Sequence, residues 1–288
     1  MAWQVLLIVY LAFSTAVYLL RRRLAQLIPE HNRFVNWFMF LWVLYPVGLI
    51  TALFIRPDLA IGWANLALLL VGELIFPSVN VLAYRASKEI DAGLYTILTN
   101  LAPIITVTSA WLLLHEGLTG RQLMGAGVIL FSAVLASSPN FFKRHRANLT
   151  GLAFALMSVL LLGLGITYER FMLTRMEFGA YLVFGWGSQA LWMTILGWRE
   201  RKNIDLLRRP VVAKLIIAYG LAFSLTGLCF VGALNLSGNA SLVAAVRSFL
   251  AVLVVLASYF VLKERGWLLL KITAAVLGAA GLILVIAK

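Results

Sequence analysis

The sequence predicts an all-α membrane protein with ten transmembrane helices, arranged as two inverted five-helix repeats around a central cavity. Three observations carry this prediction: the composition, the lengths of the apolar segments, and a similarity between the two halves of the chain. Of the 288 residues, 62% are hydrophobic and 12% are charged, whereas a soluble domain is about half apolar and about a quarter charged. So little polar surface excludes an ordinary soluble enzyme, a disordered chain and a collagen-like fibre.

The apolar segments are long enough to cross a bilayer, because about 20 apolar residues span about 30 Å of hydrocarbon as a helix. They do not alternate with a period of two, and a backbone in lipid must satisfy its own hydrogen bonds, which leaves helices. The links between them are too short to hold a domain, so the function must reside in the membrane-embedded part. The predicted helices cover residues 3–20, 34–55, 61–84, 91–113, 121–138, 149–169, 178–198, 211–234, 239–262 and 267–287.

The basic residues predict the orientation of the chain. The net charge is +13, but these residues lie in short links between apolar segments, so we expect no nucleic-acid partner. With ten crossings, most of the 24 lysines and arginines fall on one side, which is then cytoplasmic. We predict a multi-pass protein of the plasma (inner) membrane with both termini outside the cytoplasm. No basic residue precedes the first apolar segment and Arg21–Arg23 follow it, so we expect this segment to stay uncleaved.

The two halves of the chain resemble each other at an offset of 148 residues. Leu112–Glu116 falls on Phe260–Glu264, and Ala92–Leu94 falls on Ala240–Leu242. Five helices per copy is an odd number, so the second copy must cross the membrane upside down. We therefore predict two units, 1–140 and 149–288; the alternative is that apolar sequences resemble each other by composition alone. Inverted repeats around a central site are typical of secondary transporters.

One pattern in these halves resembles a known family. Small residues open a helix, Pro103 lies in its middle, an apolar run ends at Glu116, and a turn leads to a helix near Gly125. The pattern returns around Ala240 and Glu264, where Ala251 replaces the proline and Thr273 replaces the glycine. It is similar to the EamA domain of the drug/metabolite transporter superfamily, over nearly the whole chain. The resemblance implies ten helices and transport without ATP. It also implies a cavity lined by the third, fourth, eighth and ninth helices, with parts of the first and sixth.

Two ionisable residues, Glu73 and Arg247, lie well inside apolar segments. Such groups are costly in lipid and normally face protein or water. In one interpretation they form a salt bridge that orients two helices. In the other they face the cavity, where Arg247 holds a carboxylate through its planar fork and Glu73 binds an amine or a proton. A gating pair would combine both roles.

Further polar and aromatic residues complete the predicted binding site. One face of the third helix continues from Glu73, and the fourth helix carries polar residues before Pro103, which frees a backbone carbonyl. The second half adds three candidates. The predicted substrate-binding residues are Glu73, Arg247, Asn80, Tyr84, Tyr95, Thr99, Asn100, Tyr168, Trp186 and Gln189.

The remaining inventory argues against enzyme chemistry. The three histidines lie in separate links without metal-ligand spacing, no glycine-rich phosphate loop occurs, and the single cysteine, Cys229, is read as a packing residue. We expect no cofactor and no metal. The function predicted is secondary transport, in the export direction, of a small amino-acid-like or other zwitterionic or anionic metabolite, coupled to protons or to exchange. The alternative is a membrane interaction or sensor protein. The expected partners are the lipid bilayer, a small solute and protons, in a monomer or homodimer.

Overall fold

The computed structural model describes residues 2–28, 32–90, 95, 98–137, 148–261 and 268–286, and its regular structure there is helical. The prediction of an all-helical chain is thus confirmed for these residues. Within the described residues, five helices are long and apolar enough to cross a membrane, as expected of a multi-pass membrane protein: Ala2–Arg21, Arg33–Ile55, Trp63–Ala86, Leu149–Leu173 and Pro210–Ser237.

The helices follow one another with short links. We label them α1 (Ala2–Leu27), α2 (Asn32–Met39), α3 (Tyr45–Ile55), α4 (Trp63–Gly72), α5 (Ile75–Glu89), α6 (Ala102–Leu114), α7 (Gly120–Ser137), α8 (Leu149–Leu173), α9 (Phe178–Gly197), α10 (Pro210–Ser237), α11 (Ala240–Ser248), α12 (Leu250–Val261) and α13 (Leu268–Ile286). A π-helical turn, Phe40–Leu44, joins α2 to α3, and a 3₁₀ helix, Trp198–Arg208, follows α9.

The other predicted crossings are shorter or less apolar. Apolar helices of 10–17 residues are Ala102–Leu114, Gly120–Ala136, Ala240–Val254 and Ile272–Ile286. Helix α9 has 20 residues, but glycine and polar side chains such as Ser188 and Gln189 are buried in it, as expected of a helix surrounded by protein. Parts of the predicted helices 91–113, 239–262 and 267–287 lie outside the described residues. The count of ten crossings therefore stays a prediction.

A break interrupts the third predicted helix at Glu73 and Leu74. Pro77 has no N–H to donate to the carbonyl of Glu73, four residues earlier, and its ring crowds that carbonyl. Helix α4 therefore ends at Gly72 and α5 begins at Ile75. The carbonyl of Leu70, freed by the break, accepts a hydrogen bond from the indole N–H of Trp192. The break places the Glu73 side chain in the interior.

Two further breaks lie at corresponding places in the two halves. The chain turns at Leu101, just before Pro103, and again at Phe249, where the backbone N–H donates to the carbonyl of Val246 at 3.1 Å. The second break forms without a proline. Discontinuous helices of this kind build the binding sites of many secondary transporters.

Most of the close helix packing joins the first half of the chain to the second. Helix α1 packs along α10, α5 along α8, α7 along α13, α6 against α8 and α11, and α3 against α9. The two halves are thus intertwined through their helices.

Several links meet at one end of the bundle. The N–H of Asp58 donates to the carboxylate of Glu177 at 3.0 Å, and the amide of Asn239 donates to the carbonyl of Gly117 at 3.1 Å. At another pair of helix ends, the amide of Asn148 donates to the carboxylate of Glu89 at 3.0 Å. The link after α3 is therefore joined to the link after α8, and the link after α6 to the link after α10.

The α7–α13 contact gives a testable prediction. A Cβ on Gly125 would lie 2.8 Å from the backbone oxygen of Gly281, and a Cβ on Gly281 would lie 2.8 Å from that of Gly125. Backbone atoms cannot move aside, so Gly125→Ala should destabilise the protein by about 1–3 kcal/mol. A lowered thermal midpoint of the purified protein measures this. Gly127 lies on the same helix with nothing within 4 Å of its Cβ position, so Gly127→Ala should leave the midpoint unchanged or raise it.

Candidate functional site

A cavity of about 250 Å³ lies among the helices of both halves. Its walls come from α1, the π-helical turn, α5, α8, α9, α10 and α11, so the described lining includes no residue of α6. Helix α6 instead packs directly on α8, where the hydroxyls of Ser109 and Thr167 are 2.6 Å apart. The lining residues that can interact through polar or aromatic groups are Tyr10, Phe76, Asn80, Glu169, Trp186, Gln189, Phe223, Thr226, Phe230 and Arg247.

Arg247 brings a positive charge to this cavity. It lies in the last turn of α11, just before the break at Phe249, and its Cζ is 5.5 Å from the centre of the Phe230 ring. Among the described residues, its guanidinium group has no hydrogen-bond acceptor and no carboxylate within ion-pair distance. The planar fork is therefore available to a ligand.

Glu73 occupies the helix break and is fully buried, with 0% of its surface exposed. One carboxyl oxygen lies 2.8 Å from the hydroxyl of Tyr181, and the other accepts a hydrogen bond from Nε2 of Gln189 at 2.7 Å. Both partners belong to α9. The structure therefore joins Glu73 to α9, and within the described part of the chain it makes no ion pair with Arg247.

Glu169 is a cavity residue that the sequence analysis missed. It lines the cavity, is 4% exposed, and places a carboxyl oxygen 3.0 Å from the hydroxyl of Tyr181. The predicted helix 149–169 ended at this residue, but α8 continues through the apolar residues Phe171–Leu173. The apolar residues that follow could have shown that Glu169 lies inside the helix. Its spacing from Leu162 and Ile166 could have shown that the three residues share one helix face.

The structure divides the other predicted binding residues into two groups. Asn80, Trp186 and Gln189 line the cavity with Arg247, and Asn80 Nδ2 donates to the carbonyl of Phe76 at 3.0 Å. The described lining does not include Tyr84, Tyr95, Thr99, Asn100 and Tyr168.

These remaining residues have other surroundings. Tyr84 lies under the guanidinium group of Arg33, and the Tyr95 hydroxyl is 3.5 Å from that of Ser158. The hydroxyl of Tyr168 donates to the carbonyl of Leu68 at 2.6 Å. The buried Nδ2 of Asn100 has no hydrogen-bond partner among the described residues.

A second polar cluster ties the two halves together at one end of the bundle, and we call it the Glu116 cluster. The carboxylate of Glu116 accepts from Arg170 Nε at 2.8 Å and from the N–H of Ala240, the first residue of α11, at 2.7 Å. The hydroxyl of Ser241 donates to the carbonyl of Glu116 at 2.7 Å, and Asn239 donates to Gly117. Its members are Glu116, Gly117, Arg170, Asn239, Ala240 and Ser241.

The site provides groups that can bind a charged ligand and a proton. A cation, two carboxyl groups and an amide converge around the cavity, and no group of three or more metal-ligating side chains occurs within the described segments. Such a set can hold an anionic group and a proton.

Comparisons with known proteins agree with a transporter. Residues 2–138 match the model of the EamA-like transporter family. A solved structure titled only as a crystal structure of a protein has a TM-score of 0.71 and 16% sequence identity, and the alignment covers 99% of this chain and 96% of that chain. That likeness shows that the whole chain shares the fold. The search of curated proteins gives no match. The resemblance to the EamA domain of the drug/metabolite transporter superfamily is thus confirmed over residues 2–138, which match the model of the EamA-like transporter family.

Proposed function

We propose that the chain is a secondary active transporter that carries a small anionic or zwitterionic metabolite by alternating access. The observation that carries the proposal is Arg247, whose guanidinium group lines a cavity among membrane helices and has no acceptor among the described residues. A charge in this position costs free energy and usually marks a functional site, and the guanidinium fork matches a carboxylate with two parallel hydrogen bonds.

The lining of the cavity supports the solute class. Glu169 adds a carboxyl group to the same cavity, where it can bind an ammonium group, and Phe76, Trp186 and Phe230 offer apolar surface. A volume of about 250 Å³ lies below the usual range of drug-sized pockets, roughly 300–1,000 Å³. These features favour a molecule of amino-acid size. We propose that the protein exports it.

The packing of the helices supports two inverted units, 1–140 and 149–288. Adding 148 to the residue numbers takes α1 into α8 and α5 into α10, so the packed pair α1–α10 becomes the packed pair α8–α5. The packed pair α7–α13 is carried onto itself, α6 falls on α12, and the break at Leu101 falls on that at Phe249. Such exchange is expected of two copies related by a pseudo-two-fold axis.

The same packing supports an even number of crossings. The links after α3, α6, α8 and α10 share hydrogen bonds at one end, as the ten-helix topology requires. With the basic links opposite facing the cytoplasm, both termini lie outside, on the side of the Glu116 cluster.

Transport by purified protein in liposomes tests the proposal. We expect saturable uptake of at least one member of a panel of labelled amino acids and monocarboxylates, with accelerated exchange when the same solute is preloaded. Empty liposomes and liposomes with heat-denatured protein are the controls. Protein that is folded by circular dichroism, moves no solute of the panel and copurifies with one protein partner would favour the interaction or sensor alternative.

A further inference from the structure

We propose that Glu73, Tyr181 and Glu169 form a proton-binding site in which one proton is shared by the two carboxyl groups through the tyrosine hydroxyl. The inference that this proton moves together with the solute rests on the proposed transport function. The shared proton itself follows from the contacts alone.

The argument begins with the Tyr181 hydroxyl, which lies 2.8 Å from a Glu73 oxygen and 3.0 Å from a Glu169 oxygen. A phenol has one proton to donate, whereas an ionised carboxylate only accepts. If both carboxyl groups were ionised, one of the two contacts would place two oxygens together without a hydrogen between them. If one carboxyl group carries a proton, both contacts become hydrogen bonds. The geometry therefore favours one proton on the pair, since only then do both contacts have a hydrogen of their own.

Burial supports the same assignment. Glu73, Glu169 and Tyr181 are 0%, 4% and 0% exposed, and two uncompensated negative charges at such a site would be very costly. The groups that face the pair are Arg247, whose charge acts on Glu169, and Tyr168, which is within electrostatic reach of Glu73. One positive charge balances one ionised carboxylate, which leaves the second carboxyl group neutral.

Two arrangements of the proton satisfy every contact. In the first, Glu169 donates its proton to the oxygen of Tyr181, and the Tyr181 hydroxyl donates to ionised Glu73. In the second, the Tyr181 proton has moved to Glu73, and the Glu169 proton has moved to Tyr181. Ionised Glu169 then accepts a hydrogen bond from the Tyr181 hydroxyl, and Glu73 donates to the Tyr181 oxygen. Gln189 donates to the other oxygen of Glu73 in both. The exchange moves two protons by one bond each and changes no total charge.

The two carboxyl groups differ in their access to the cavity. Glu169 lines the cavity with Arg247, whereas the described lining does not include Glu73. With the cavity empty, Arg247 favours the ionised form of Glu169, so the pair holds its proton, on Glu73, less tightly than when an anion is bound. A solute carboxylate on the Arg247 fork neutralises that attraction, so protonation of Glu169 becomes easier. Anion and proton therefore bind cooperatively, and by reciprocity each raises the affinity for the other. They would cross the membrane in the same direction.

Infrared spectroscopy of the purified protein tests the shared proton without a solute. Near neutral pH, we expect the C=O stretch of a protonated carboxylic acid in the wild type and its loss in Glu73→Gln and in Glu169→Gln. Each single variant can bond to Tyr181 with an amide N–H in place of the shared proton. Glu116→Gln is the control, because Glu116 is paired with Arg170 and should contribute no such band. Absence of the band in the wild type, or its persistence in a folded Glu73→Gln, Glu169→Gln protein, would overturn the proton site.

Proton movement in the same liposomes tests the coupling. With a pH-sensitive dye inside, solute uptake by the wild type should acidify the lumen, and Tyr181→Phe should take up solute with little acidification. Tyr219→Phe is the matched control, since Tyr219 is 2% exposed and its hydroxyl contacts no carboxyl group in the part of the chain described. Solute uptake without acidification by the wild type would overturn the coupling. No uptake of any solute would count against transport, and the infrared result would then decide the proton site alone.

Discussion

Replacing Arg247 by methionine is expected to lower the affinity for an anionic solute by roughly 100-fold, which corresponds to about 3 kcal/mol. Methionine keeps much of the length of the side chain and its contact with Phe230 but removes every donor of the fork. The affinity is measured by displacement of a labelled solute that the wild type transports. Arg247→Lys keeps the charge without the planar fork and should recover only part of the loss, because a single ammonium group cannot form two parallel hydrogen bonds.

Arg175→Met is the matched control for this substitution. The guanidinium group of Arg175 also lies over a phenylalanine ring, with its Cζ 4.4 Å from the centre of Phe171, but it follows α8 and does not line the cavity. Its loss should leave the affinity within about twofold, since surface charges away from a site contribute little. Equal losses in Arg175→Met and Arg247→Met would contradict a specific role for Arg247.

Loss of the Glu116 carboxylate should open the bundle at the end where this residue lies. Glu116→Ala leaves Arg170 without its partner and the first N–H of α11 without its acceptor, and breaking such a largely buried pair costs roughly 3 kcal/mol. The side chains of Glu116 and Arg170 are each 13% exposed. Thr226→Cys in a Cys229→Ser background places the only cysteine in the cavity wall. We expect a polar maleimide to label it about 100 times faster in the Glu116→Ala variant, because each 1.4 kcal/mol shifts an opening equilibrium tenfold.

An exposed ion pair provides the control. Arg208 Nε lies 3.1 Å from the carboxylate of Asp205, but their side chains are 85% and 70% exposed. Such pairs are worth about 0–1 kcal/mol, so Asp205→Ala should leave the labelling rate unchanged. An unaltered labelling rate in Glu116→Ala, with Thr226→Cys still reactive in denatured protein, would show that the Glu116 cluster does not hold this end closed.

The sequence predicted the helical architecture because composition and segment length determine it. Long apolar segments such as 149–169 and 211–234 correspond to α8 and α10, since lipid leaves a backbone few alternatives to a helix. The sequence could not place the ends of the helices to better than a few residues. Glu169 was treated as the last residue of a helix that in fact runs to Leu173, because a charged pair at a membrane edge resembles a helix end.

The site was predicted less completely, because the role of a residue such as Tyr181 depends on the side chains that it contacts. Glu73 and Arg247 stood out as charges in apolar segments, and both lie in or beside the cavity region. Tyr181 carries no such signal, because a tyrosine near the start of a membrane helix usually anchors at the interface. Its role depends on two carboxyl groups that are 108 and 12 residues away along the chain. The spacing of residues within one helix cannot show that side chains from three separate helical segments come into contact.

Two neighbouring residues of α8, Glu169 and Arg170, belong to different polar sites. Glu169 faces the cavity and Arg170 joins the Glu116 cluster, although only one peptide unit separates them. Successive side chains on a helix point about 100° apart, so a small turn of α8 about its axis displaces both at once. A ligand in the cavity would thus act on the same helix that holds the Glu116 cluster together, and the two sites would be coupled through α8 alone.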